Sequence, residues 1–139
     1  MRIIGFNFTK ISVEKLKALG AVDNLKANTE IDVPEIKKIE SKELTIKGDL
    51  IETKFSYKIK YEPEFANVEL EGRIVLSVEP KMSKEILKQW KNKIMLEDFR
   101  LFIFNVILRR STLKALQLEE EIGLPLHMSM PSFKKEKKE

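Results

Sequence analysis

The sequence has no cysteine, one histidine and two glutamines in 139 residues. Without cysteine there is neither disulfide nor thiolate chemistry, which fits a reducing compartment, and a cytoplasmic location is expected. The single histidine, His127, excludes a histidine–cysteine zinc site; a site with several histidine ligands would need several chains. No secretory pattern opens the chain, and the apolar stretch Leu101 to Leu108 is far shorter than the ~20 residues a membrane helix needs, so no membrane insertion is expected. Phosphate-cradling glycine loops and nucleophile elbows are also missing. The expectation is a protein that is not an enzyme and uses no cofactor and no metal.

Charge of one sign is scarce too. The formal charge is +4, but the tail from Lys134 to Glu139, "KKEKKE", carries four lysines and two glutamates, leaving a body of 22 basic and 20 acidic residues, net +2. Such a balance describes a mixed, solvated surface, and nucleic acid is not an expected partner. Twenty-one of the 26 cations are lysine, a usage that suits a thermophile. We divide the chain into one domain, residues 1–133, and a disordered charged tail, residues 134–139.

What is present is alternation, then a change of period. Phe6 and Phe8 share one face whereas Ile11 and Val13 fall on the other phase, which predicts a bulge near Thr9 and Lys10. Ile31 and Val33 lead into Pro34, which marks an edge strand or a bulge, and Leu44 and Ile46 resume the pattern. Phe55, Tyr57, Ile59 and Tyr61 alternate with Lys54, Ser56, Lys58 and Lys60, and from Val68 to Val78 the apolar residues alternate with Glu69, Glu71, Arg73 and Ser77. These two strands should pair antiparallel through the loop at 62–67, in a meander of about four strands.

From Ser83, a plausible N-cap, to Ile122 there is no glycine or proline and the apolar spacing becomes three and four, the pattern of a long helix. On a helical projection Met95, Phe99, Phe102, Val106 and Leu113 form one stripe; Ile94, Leu101, Phe104, Leu108 and Ala115 fall opposite. One sheet covers one face, so Ile94, Leu101, Phe104 and Leu108 are the expected interface with a second copy of the chain.

Gly123 and Pro125 then end the helix, and Leu124, Leu126, Met128 and Met130 alternate with polar or ring-locked residues in an extended segment. These four side chains cover either the protein's own body, a subunit contact, or another chain. The proximal pair, Leu124 and Leu126, is expected to pack on the body, with Met128, Met130 and Phe133 at the rim of a groove. Glu119, Glu120 and Glu121 read as the solvated end of the helix and His127 as a rim residue or backbone partner. Arg109 and Arg110 either carry the helix back to water, the simpler reading, or bind a carboxylate of a partner.

The order of elements, and most sharply Leu113 to Phe133, "LKALQLEEEIGLPLHMSMPSF", resembles the SecB family of export chaperones. It is also similar to the small archaeal proteins grouped with SecB, whose helix closes in a glycine-leucine-proline turn, here Gly123, Leu124 and Pro125. The resemblance implies an α+β fold with a roughly four-stranded antiparallel sheet and a long C-terminal helix packed on it. It further implies a homo-oligomer, dimer or tetramer, that holds unfolded polypeptide clients without ATP. Trp90, Met128, Met130 and Phe133 are of the flexible or aromatic kind that repacks around many clients. The alternative is a structural or assembly protein, or a toxin–antitoxin-associated chaperone, that binds one specific partner; binding of nucleic acid through the basic tail from Lys134 to Glu139 ranks below both. The strongly acidic surfaces through which bacterial SecB meets its motor are not evident in a body of net +2.

Overall fold

The computed structural model describes residues 1–17, 24–40 and 48–135. Four strands, β1 (Arg2–Lys15), β2 (Lys26–Ile39), β3 (Asp49–Glu62) and β4 (Ala66–Val78), are followed by helices α1 (Pro80–Trp90) and α2 (Glu97–Ile122). The strands form one antiparallel sheet in the order β1-β4-β3-β2. The predicted meander holds for β2 to β4, but β1 lies beside β4 rather than β2, which makes a Greek-key order. Leu44 and Ile46, and the tail beyond Lys135, lie outside the described residues.

The strict alternation of β3 and β4 decides which face is covered. Ile51, Phe55, Tyr57, Ile59 and Tyr61 of β3 and Val68, Leu70, Ile74 and Leu76 of β4 are buried on the helix side. Burying each such side chain contributes roughly 1.5–3 kcal/mol, so this layer dominates the stability of the fold. The other face carries cross-strand charge pairs: Lys10 reaches Glu69 at 3.1 Å and Lys54 reaches Glu35 at 3.1 Å. Exposed pairs of this kind add little stability and serve chiefly to keep the face in water.

Both predicted bulges are present, and they lie level with each other. β1 slips between Phe8 and Lys10, opposite Gly72 and Glu71; β2 slips between Asp32 and Glu35, opposite Ser56 and Lys54, around Pro34. Gly72 pairs with Phe55 on the same line, where the Phe6 and Phe8 rings meet the Phe55 ring at centroid distances of 5.2 and 6.2 Å. An added Cβ at Gly72 would stand 2.4 Å from the Asn7 carbonyl oxygen, so the aromatic cluster depends on a missing side chain.

The predicted single helix is two. Pro80, not Ser83, begins α1, as suits a residue with no N–H to leave unpaired; Ser83 is buried within the first turns and Glu79 occupies the N-cap. The chain leaves α1 through Lys93, in the left-handed region at φ 57°, without glycine or proline to announce the break. In α2 the buried row is Phe99, Ile103, Ile107, Ser111, Ala115 and Glu119. A row of every fourth residue advances about 40° per step and so winds around the helix as it follows a twisted sheet. That winding corrects the two straight stripes: Ala115 is buried on the sheet, whereas Leu113, placed with Phe99 by simple projection, is exposed.

Gly72→Ala should lower stability by about 1–3 kcal/mol, because the Asn7 oxygen is backbone and can move only by parting β1 from β4. Urea unfolding checks it; a midpoint equal to that of the unaltered protein would contradict the close approach.

Candidate functional site: a groove between helix and tail

The end of α2 closes in a Schellman pattern. Gly123 takes φ 75°, its N–H donates to the Glu120 carbonyl at 3.3 Å, and the Leu124 N–H donates to the Glu119 carbonyl at 2.7 Å. Leu124 then enters the core at 5% exposure, as expected, but Leu126 does not: it is 42% exposed. The turn that carries Leu124 inward is the reason, since Pro125 redirects the chain and the next anchor is polar.

That anchor is His127. Its Nδ1 meets Glu119 Oε1 at 2.5 Å and its backbone N–H donates to the same oxygen at 3.3 Å. The Tyr61 hydroxyl donates its one proton to Glu119 Oε1 at 2.6 Å, with the Pro125 carbonyl as the other acceptor within reach. On the other side of the ring, His127 Nε2 lies 3.1 Å from the Tyr57 hydroxyl, which lies 3.2 Å from Thr112 Oγ1. Glu119 is therefore fully buried, not a solvated helix end, and His127 is a nearly buried ring clasped to the body rather than a free rim residue. An acid in the last turn of a helix opposes the helix dipole; three hydrogen bonds to Oε1 offset part of that cost, while Oε2 is buried without a partner. A carboxylate in the wrong place for the dipole, eight residues before the only histidine, was the available signal.

Carboxylate, imidazole and hydroxyl stand here in the order used to activate a nucleophile. Burial pushes the Tyr57 phenol above its ordinary pKa of 10.0. The arrangement fastens the tail to α2 and β3.

Beyond the clasp the tail and α2 diverge around an open cleft of about 880 Å³. The helix wall is Asn105, Leu108, Arg109, Thr112, Leu113 and Leu116; Met128, Ser129, Met130 and Pro131 form the facing wall, and Tyr57 and Thr29 its floor. Leu108, Leu113, Met128 and Met130 are all exposed in it. Phe133 projects fully into solvent beyond the cleft. Trp90 is not brought together with the methionines. It is half-buried, has Lys93 Nζ 4.5 Å from its ring centroid, and lines a second pocket of about 390 Å³ with Pro34, Met95 and Phe104. Of the residues expected at a subunit interface, Ile94, Leu101 and Leu108 are exposed, whereas Phe104 is half-buried against the core. No helix among the described residues is long and apolar enough to cross a membrane.

Compared by sequence, the chain matches no protein family and no curated protein. Its fold is that of a SecB-like chaperone. Among solved structures it is similar to the Rv1957 SecB-like chaperone of Mycobacterium tuberculosis, in complex with a ChAD peptide from the Rv1956 HigA1 antitoxin. The likeness covers 95% of this chain and 90% of that one, with a TM-score of 0.58 and 11% identity.

Two outcomes follow from this geometry. Leu124→Ala should cost about 2–5 kcal/mol in denaturant unfolding, as core truncations do, and Leu126→Ala under about 1 kcal/mol; equal losses would contradict the clasp. The Tyr61 phenol is raised by burial and by Glu119, so the unfolded chain loses its phenol proton first as pH rises past 10.0. The stabilisation is thus complete below pH 10 and declines above it. Tyr61→Phe should make that alkaline decline shallower; parallel stability–pH curves for the two proteins would speak against the buried phenol.

Proposed function

We propose that this protein is an ATP-independent holdase that lays an apolar stretch of non-native polypeptide in the groove between α2 and the tail. The observation that carries the reading is the open cleft walled by Leu108, Leu113, Met128 and Met130. Exposed apolar surface of this kind is costly to keep in water unless something is to cover it. Methionine suits the task because its unbranched thioether adapts to many partners. A fold shared with a SecB-like chaperone solved in complex with an antitoxin peptide supports the same reading. In this proposal the clients meet Met128, Met130 and Phe133, with Trp90 as a separate contact at the β2 edge. The protein is not an enzyme, needs no cofactor, and acts in the cytoplasm, where export is one service it would give. Exposed Leu101 and Leu108 on α2, with exposed Ile94 in the connection between the two helices, are where copies of the chain would associate into a dimer or tetramer. Because Leu108 also lines the cleft, the two surfaces would be continuous.

The antitoxin peptide on the similar structure favours a second reading, a chaperone dedicated to one partner. The two differ in client range.

The test is light scattering of a chemically denatured protein diluted into buffer without nucleotide. Suppression of aggregation near one client per groove is expected, and Met128→Ser with Met130→Ser should weaken it several-fold while costing less stability than Leu124→Ala. No suppression by the folded protein at any ratio, for several clients, would overturn the general holdase. Suppression that survives the double substitution unchanged would move the site elsewhere.

A further inference from the structure

We infer that the groove selects apolar polypeptide segments carrying an acidic side chain, which Arg109 pairs. This rests on the groove being a polypeptide site, as proposed above. Charge complementarity points to the occupant. Of the residues that line the cleft, Arg109 alone carries a permanent charge and none is acidic. The one carboxylate bonded to a lining residue, Glu119, is fully buried behind His127, and its Oε1 is engaged by Tyr61 and His127. It does not face the opening.

The donors of Arg109 are also unspent. Arg73 reaches Glu52 at 3.4 Å, and Arg110, one residue along the helix, turns its guanidinium over the Phe6 ring at 4.9 Å. Arg109 is exposed and, among the described residues, has no hydrogen bond, ion pair or ring contact. A guanidinium presents a planar fork of donors that matches a carboxylate through two parallel bonds. Leu108 and Leu113 flank it on the same wall, and Met128 and Met130 stand opposite. An incoming apolar segment would exclude water around that fork and strengthen a pairing that is weak on open surface. A basic residue at the same point would meet a like charge that nothing in the lining offsets.

The experiment uses the intact protein and three fluorescent leucine-rich peptides, identical except for a central Glu, Gln or Lys. Binding is followed by anisotropy at low and high salt. The Glu peptide should bind tightest, about five-fold above the Gln peptide, with the Lys peptide weakest and the spread narrowing in salt. Arg109→Gln should level the three affinities, and Arg109→Glu should reverse their order. Arg100→Glu makes the same charge change at an exposed position outside the lining and should leave the order intact. Equal affinities for the three peptides, or an order altered as much by Arg100→Glu as by Arg109→Glu, would overturn the acidic preference while leaving a polypeptide groove in place. Failure of all three to bind would overturn the groove and the preference together. A fall in scattering mass on Arg109→Glu, with no peptide bound by the unaltered protein, would overturn both by assigning the cleft to a second copy of the chain.

Discussion

A carboxylate with no exposure, in the last turn of a helix whose dipole disfavours it, is the constraint on which the functional end of this protein depends. Glu119 Oε1 takes a hydrogen bond from Tyr61 on the sheet and two from His127 on the tail, so three elements meet at one atom. Removing any donor would leave a buried acceptor underused, which makes the junction cooperative rather than a sum of separate contacts. The consequence is geometric. The tail is held at Leu124 and His127 and is free of the body beyond them, and that difference creates a cleft where an ordinary helix end would have none.

The sheet supplies the rigid side of the same device. Tyr57 and Tyr61 sit four residues apart on β3, on one face by the two-residue period, and each sends its hydroxyl past the core to a different part of the helix–tail junction. Their rings belong to the core and their oxygens to the clasp. Core packing therefore fixes the floor of the groove, whereas the walls are made of side chains with several rotamers. In the proposed function, a firm floor with adaptable walls would let one site accept different sequences without losing its shape.

The edges follow a separate logic. β1 and β2 are the outer strands, and both carry a bulge at the level of Gly72 and Phe55. Bulges break the regular row of free backbone groups along an edge and discourage indiscriminate strand addition. For a protein whose proposed clients are unfolded chains, that restraint would direct them to the groove and away from the sheet.

The sequence by itself determined the elements whose signals are local. The alternation of Phe55 to Tyr61 and of Val68 to Val78 named the two central strands, Thr9 and Pro34 marked the bulges, and Gly123 with Pro125 stopped the helix. Local sterics and period-two burial depend only on neighbouring residues. Long-range packing decided the rest. β1 crosses to pair with β4 because pairing partners are chosen across the whole chain. The buried row of α2 winds because the sheet beneath it twists, which moved Ala115 inward and Leu113 outward. Lys93 broke the helix without a glycine because tertiary contacts override propensity. Glu119, read as solvated from its place beside Glu120 and Glu121, is buried because Tyr61 and His127, 58 and eight residues away, converge on it. Arg109 is set apart from Arg110 only by the fold, which lays one over Phe6 and leaves the other facing the groove. Adjacent helical positions point about 100° apart, and only the packing decides what each of them meets.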